Sequence, residues 1–139
     1  MKMWLFKSEP STWSWQDQLD AGETGTGWDG VRNYQASNNM KAMEIGDLGF
    51  FYHSVNEKRI VGIVEVIAHY HPDHTDESGR FGMVDVKAVK TVNQPVTLAD
   101  IKANPLLEDL ALVRQSRLSV VPVSSEHWNI LLGMTDTAV

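Results

Sequence analysis

The chain has 139 residues, 42% of them hydrophobic and 22% charged, the size and balance of one folded domain and not of a disordered segment. It has no cysteine, which excludes a disulfide framework and every thiolate metal site and fits a reducing compartment, cytoplasmic in a bacterium or nuclear in a eukaryote. The net charge of −6, from 12 basic against 18 acidic residues, argues against coating duplex DNA, which requires many Lys and Arg on phosphates, but leaves room for a site that grips one base and a few phosphates.

In chain order, Met3 to Lys7 reads as a short strand stopped by Pro10. Its apolar run is too short for a signal peptide or a membrane span. Ser14 is placed to cap a helix that starts at Trp15, with Asp17 completing a capping box. Trp15 and Leu19 share a face of that helix, and Ala21-Gly22 ends it. Residues 23–30 carry Gly25, Gly27 and Gly30 and read as a loop. Tyr34 to Glu44 reads as a second helix, with Ala36, Met40 and Met43 inward and Gly46 just past its end.

Leu48 to His53 is a strand, Ser54 to Arg59 a polar hairpin turn, and Ile60 to Tyr70 a long β-branched strand partly covered on both faces. His71 to Arg80 is a polar loop, and Met83 to Val92 is a strand of alternating character. Thr97 and Asp100 cap a short helix, and Leu106 to Val113 holds a further helical turn or two. Leu118 to Val123 is a strand, and Ser124 or Ser125 opens a last helix that Gly133 ends. Roughly five strands and four or five short helices in irregular order point to an α+β or barrel-like fold and away from a Rossmann-type sheet. No repeat or linker divides the chain, so residues 1–139 read as a single domain.

Few residues are arranged for catalysis. Lys7 and Ser8 are neighbours on a strand and point to opposite faces, which keeps them from acting as a dyad. There is no G-x-S-x-G and no phosphate-cradling loop. His69, His71 and His74 lie near Asp73 and Asp76, but in a Pro-containing loop and not at metal-binding helical spacing. Neither a metal nor a cofactor is expected.

Four segments have more to offer. Lys7-Ser8-Glu9-Pro10 puts an ammonium, a hydroxyl and a carboxylate at a strand end, where loops build sites. Trp28 to Tyr34 joins a Gly-rich loop to a helix; Trp28 is either a platform for a ligand or a lid over the core. Arg32 and Asn33 stand at the helix start, and the Asn33 amide can both donate to and accept from a base edge. Phe50-Phe51-Tyr52-His53-Ser54 ends a strand with an aromatic run, and Arg114 and Arg117 bring two cations to the start of the last strand.

Taken together and in this order, Trp4 to Pro10, Trp28 to Ala36, Gly46-Asp47, Phe50 to Ser54, Gly62-Ile63, Tyr70 to Thr75, Val84 to Val86 and Ser116 to Val120 resemble the EVE domain family, over a core of residues 3–132. The strings W-D-G-V-R-N-Y-Q-A and F-F-Y-H-S are long and specific. The resemblance implies a PUA-like fold, a small, strongly bent β-barrel of five or six strands flanked by short helices. It also implies kinship with YTH domains, which read methylated adenine through an aromatic cage. The family is thought to recognise modified bases, chiefly modified cytosines, in DNA ahead of RNA. One departure stands out: Phe81 occupies roughly the place where family members often carry a Trp.

On this reading the chain is a non-catalytic module that takes a flipped base into an aromatic pocket. Trp28 is the stacking platform and Phe81 a second wall. Lys7, Ser8, Glu9, Asn33, Tyr52, His53 and Ser54 surround the base, and Arg32, Arg114 and Arg117 contact phosphates. The rival readings are a small metal-dependent nuclease or hydrolase built on Glu9, Asp29 and the histidines, and a peptide-binding interaction domain.

Overall fold

The computed structural model describes residues 1–139. Six strands form one mixed sheet in the order β2–β5–β4–β3–β1–β6. They are β1 (Met3–Ser8), β2 (Thr26–Gly27), β3 (Leu48–His53), β4 (Arg59–Pro72), β5 (Gly82–Thr97) and β6 (Val120–Val123). Strands β1 and β3 run parallel and every other pairing is antiparallel. The helices are α1 (Trp15–Asp20), α2 (Tyr34–Lys41), α3 (Leu98–Ala103), α4 (Ala111–Arg114) and α5 (Ser125–Met134).

The expected α+β architecture is present, but the sheet does not close into a complete barrel, because β2 and β6 are its two free edges. The long β4–β5 ribbon shifts register at four places, and one further shift lies between Phe51 and Tyr52 in the β3–β4 pairing. Each extra residue bends the bulged strand and adds local twist.

The parallel pair β1–β3 is covered on both faces, which explains why Trp4, Leu5 and Phe6 are all buried instead of alternating. Phe6 and Phe51 are register partners, as are Leu5 and Phe50. Phe50 stacks on Trp128 of α5 at 4.1 Å between ring centroids, while Phe51 meets Trp15 of α1 at 5.1 Å. Adjacent residues on a strand point to opposite faces, so one aromatic layer lies under α5 and another under α1.

Helix α1 starts at the capping box expected from the sequence. The Ser14 hydroxyl accepts from Asp17 N–H, and the Asp17 carboxylate accepts from Ser14 N–H. Its inward face differs from expectation. Trp15 and Gln18 are buried, whereas Leu19 is 38% exposed. A buried amide is tolerated because it is satisfied: Gln18 accepts from Trp13 Nε1 and donates to the carbonyl of Val86. Helix α1 seats on β4 where Gly62 leaves room for the Trp15 indole; a Cβ there would run into the six-membered ring. Gly62→Ala is therefore expected to cost roughly 1–3 kcal/mol through overpacking. Gly133→Ala, inside α5 with open space around it, is expected to gain a few tenths of a kcal/mol or more through helix propensity. Urea unfolding of the two variants should therefore move in opposite directions.

Candidate functional site

Because β1 and β3 are parallel, their carboxyl ends lie together, with Ser8 opposite His53. The crossover between them carries α1, β2 and α2. A cavity of about 490 Å³ opens where the chain leaves β1. It is lined by Lys7, Ser8 and Glu9, by Thr12 and Trp13 of the next turn, by Thr26 to Arg32, and by Ser119.

The wall made by β1 and its turn is internally braced. The Glu9 carbonyl accepts from Thr12 and Trp13 N–H at 2.9 and 3.0 Å, closing the turn across Pro10. The Ser8 hydroxyl donates to the Trp13 carbonyl at 2.5 Å. The half-buried Trp13 indole donates to the fully buried Gln18 at 2.9 Å, which pins it at the cavity margin. Lys7 Nζ donates to the Ser116 carbonyl at 2.9 Å, and burial pulls its ammonium below the ordinary value.

The other wall follows from β2. Trp28 N–H donates to the Val84 carbonyl at 2.8 Å, prolonging the β2–β5 pairing. Its indole packs edgewise on Phe6 (5.1 Å, 63°) and Phe51 (5.6 Å, 89°) and is only 7% exposed. Trp28 is thus part of the core and borders the cavity at the same time.

The buried carboxylate of Asp73 ties this wall to the β4–β5 loop. Its Oδ2 accepts from Gly30 N–H at 2.8 Å and Arg32 Nη1 at 3.2 Å. Its Oδ1 accepts from the N–H and hydroxyl of Thr75 at 2.7 and 2.6 Å. Burial alone pushes the carboxyl up, but the hydrogen bonds from Thr75, Gly30 and Arg32 outweigh it and hold the group at about 2.

The sequence-predicted residues divide into three groups, the third being Arg114 and Arg117 in a neighbouring basin. Lys7, Ser8, Glu9, Trp28 and Arg32 border the cavity. Asn33, Tyr52, His53, Ser54 and Phe81 do not. The Asn33 side-chain oxygen caps α2 by accepting from Ala36 N–H at 2.9 Å. Tyr52 is 3% exposed in the core, where burial pushes its phenol up to about 12. His53 Nε2 accepts from Trp15 N–H at 3.0 Å, so the ring proton sits on Nδ1 and is donated to Glu57 at 3.0 Å. This fastens α1 to the end of β3. Ser54 N–H donates to the Ser8 carbonyl at 2.9 Å, continuing the β1–β3 ladder. Phe81 is buried against Tyr34 at 4.9 Å, with the Arg32 guanidinium 5.8 Å from its ring centre.

Arg114 and Arg117 lie in a neighbouring shallow basin of about 370 Å³ that also includes Asn33. The histidines expected to cluster fall instead at the end of β4, which runs through His71 to Pro72, and in the loop after it, in separate partnerships. His71 pairs with Asp85 at 2.8 Å and His74 faces Asp29 at 3.8 Å, while Asp76 accepts from Ser78 and from Phe81 N–H. Sequence reasoning did not anticipate Thr12, Trp13, Thr26 or Ser119 at the cavity; for Trp13, an aromatic next to a Pro-stopped strand end was the available signal.

The EVE domain family profile matches residues 2–134. The chain belongs to the EVE domain family. This EVE domain is 33% identical over 165 residues to thymocyte nuclear protein 1 of Gallus gallus, covering 96% of the chain and 68% of the relative. It is 30% identical to the Homo sapiens protein, covering 96% and 73%. Among solved structures, a protein of Agrobacterium tumefaciens matches with a TM-score of 0.97 at 53% identity, covering 99% of this chain and 95% of that one. Human THYN1 protein, solved in complex with 5-methylcytosine containing DNA, matches with a TM-score of 0.92 at 30% identity over 100% of each chain. The PUA-like fold expected of an EVE domain is the fold observed.

The Asp73 hub has a pH signature. Its folded value lies below that of an unfolded Asp, so its contribution is complete above about pH 4 and is lost as pH falls towards 2. Urea unfolding is expected to show a loss of about 2 kcal/mol across that window. Asp73→Asn should be less stable at neutral pH and should lack this part of the slope.

Proposed function

We propose that this EVE domain is a non-catalytic module that binds a modified base of DNA, modified cytosine in the first place, drawn out of its strand into the cavity between the end of β1 and Trp28. The observation that carries the reading is the cavity itself. Its volume, about 490 Å³, falls within the roughly 300–1,000 Å³ typical of small-molecule sites. It lies in a fold that matches a relative solved with 5-methylcytosine containing DNA.

The chemistry of the lining suits a neutral heterocycle. Lys7 and Arg32 are opposed by Glu9 and Asp29, so donors and acceptors are both present and no single charge dominates. A cytosine edge needs a donor for its ring nitrogen and carbonyl and an acceptor for its amino group. Trp13 supplies the open aromatic surface and the mostly buried Trp28 a narrow apolar border; stacking contributes about 1–3 kcal/mol per base. A methyl group adds about 0.8 kcal/mol on burial, so preference for a modified base depends on close fit. Extrusion costs a few kcal/mol and is least costly from single strands and mismatches.

Trp13 offers the cleaner test, because Trp28 also supports the core. Short labelled oligonucleotides carrying one central cytosine, 5-methylcytosine or 5-hydroxymethylcytosine, as DNA and as RNA, should separate by affinity, with a modified DNA strand bound most tightly. Trp13→Ala should weaken that binding about 5- to 150-fold, with a stability loss of about 1–3 kcal/mol from the Gln18 amide it leaves unpartnered, against about 3–5 kcal/mol for Trp28→Ala. Equal affinity of the unaltered protein for every oligonucleotide would overturn the proposal.

A further inference from the structure

The basin beside the cavity is lined by Asn33, Gln35, Arg114, Gln115, Ser116, Arg117 and Leu118. It contains two guanidiniums and three amides and not one carboxylate, on a chain whose net charge is −6. Arg117 is exposed and takes part in none of the chain's seven ion pairs. Arg114 has one exposed partner, Asp109, at 3.4 Å, a pairing of little energetic weight.

Basin and cavity share two borders. Lys7, on the cavity wall, donates to the carbonyl of Ser116, on the basin wall. Arg32 borders the cavity and the next residue, Asn33, borders the basin. We infer that the basin holds the phosphodiester backbone of the DNA strand next to the extruded base, with Arg114 and Arg117 gripping the phosphates. The inference rests on the base-binding reading for its register, but not for its charge. Planar guanidiniums match phosphate oxygens in two-point contacts, and side-chain amides add neutral donors. The place of Arg32 in this scheme is minor: its guanidinium already bonds Asp73 and Thr75.

Phosphate contacts set affinity and salt dependence without reading sequence. Binding of DNA strands with and without a central 5-methylcytosine, measured across a series of KCl concentrations, therefore tests the two ideas separately. In the Arg114→Ala/Arg117→Ala variant, the slope of log K against log salt should shrink by about 1.4, or about 0.7 for each single-strand phosphate no longer neutralised. Affinity should fall by the same factor for modified and unmodified strands. Arg117→Lys should keep most of the slope and Arg117→Glu should lose more than Arg117→Ala. Thermal melting should show all four variants as stable as the parent, since both arginines are exposed. An unchanged slope in the double variant would overturn the basin assignment, and so would a loss confined to the modified strand. A slope that shrinks as expected while modified and unmodified strands bind equally would uphold the basin and count against the base cavity.

Discussion

The packing of Trp28 against Phe6 and Phe51 decides what kind of cavity this protein has. Phe6 and Phe51 are partners in the β1–β3 register, so the indole that borders the hollow is fixed to two adjacent interior strands of the sheet. A Trp on a Gly-rich loop can be a mobile flap; this one is core. The ordering of its side chain is completed on folding and is not charged again to ligand binding. The same fact makes position 28 a poor place to separate function from stability, because removing a buried Trp costs about 3–5 kcal/mol.

A second constraint holds the wall from outside. A carboxylate as buried as Asp73 would be strongly unfavourable if unpartnered, yet both of its oxygens are fully occupied, by Thr75 on one side and by Gly30 and Arg32 on the other. Gly30 sits at φ +80°, a left-handed turn that side-chain-bearing residues rarely adopt. Trp28 and Asp73 thus clamp the segment between them from opposite sides, the core and the β4–β5 loop. The cost is functional narrowing of Arg32: it is 40% exposed, but its donors are directed to Asp73, Thr75 and its neighbour's carbonyl.

Much of this was legible in the sequence, for identifiable reasons. Strand β3 and the capping boxes at Ser14 and Thr97 rest on local patterns, and local patterns survive folding. Strand β2 was not legible because two residues carry no periodicity. Strand β5 continues from Val92 to Thr97 because its partner β4 is there to pair with it, a tertiary cause. Glycine misled twice: α5 runs through Gly133, and α2 ends at Lys41 with Ala42 as its cap, well ahead of Gly46. That Lys7 to Glu9 and Trp28 border a cavity was legible, because a strand end and a Gly-rich loop are places where hollows open. Tyr52 and Phe81 show the limit: both lie away from the cavity, and an aromatic looks the same in a sequence whether it borders a hollow or packs against its neighbours. Trp13 is the converse: its bond to Gln18 holds it at the cavity margin, and the residue types on either side do not announce that bond.

The distribution of charge then bears on how such a module would tell one site from many. A protein that is acidic overall is repelled by the DNA backbone at a distance, so a few arginines would give it only a weak hold on arbitrary sequence. The basin is free of carboxylates while the cavity is balanced between Lys7 and Arg32 on one side and Glu9 and Asp29 on the other. Phosphate contacts in the first would orient a strand without selecting it, and a base in the second would select without needing charge. Under this division, weak backbone attraction favours specificity: the smaller the share of the binding energy that every sequence receives, the larger the share that depends on whether the extruded base fits.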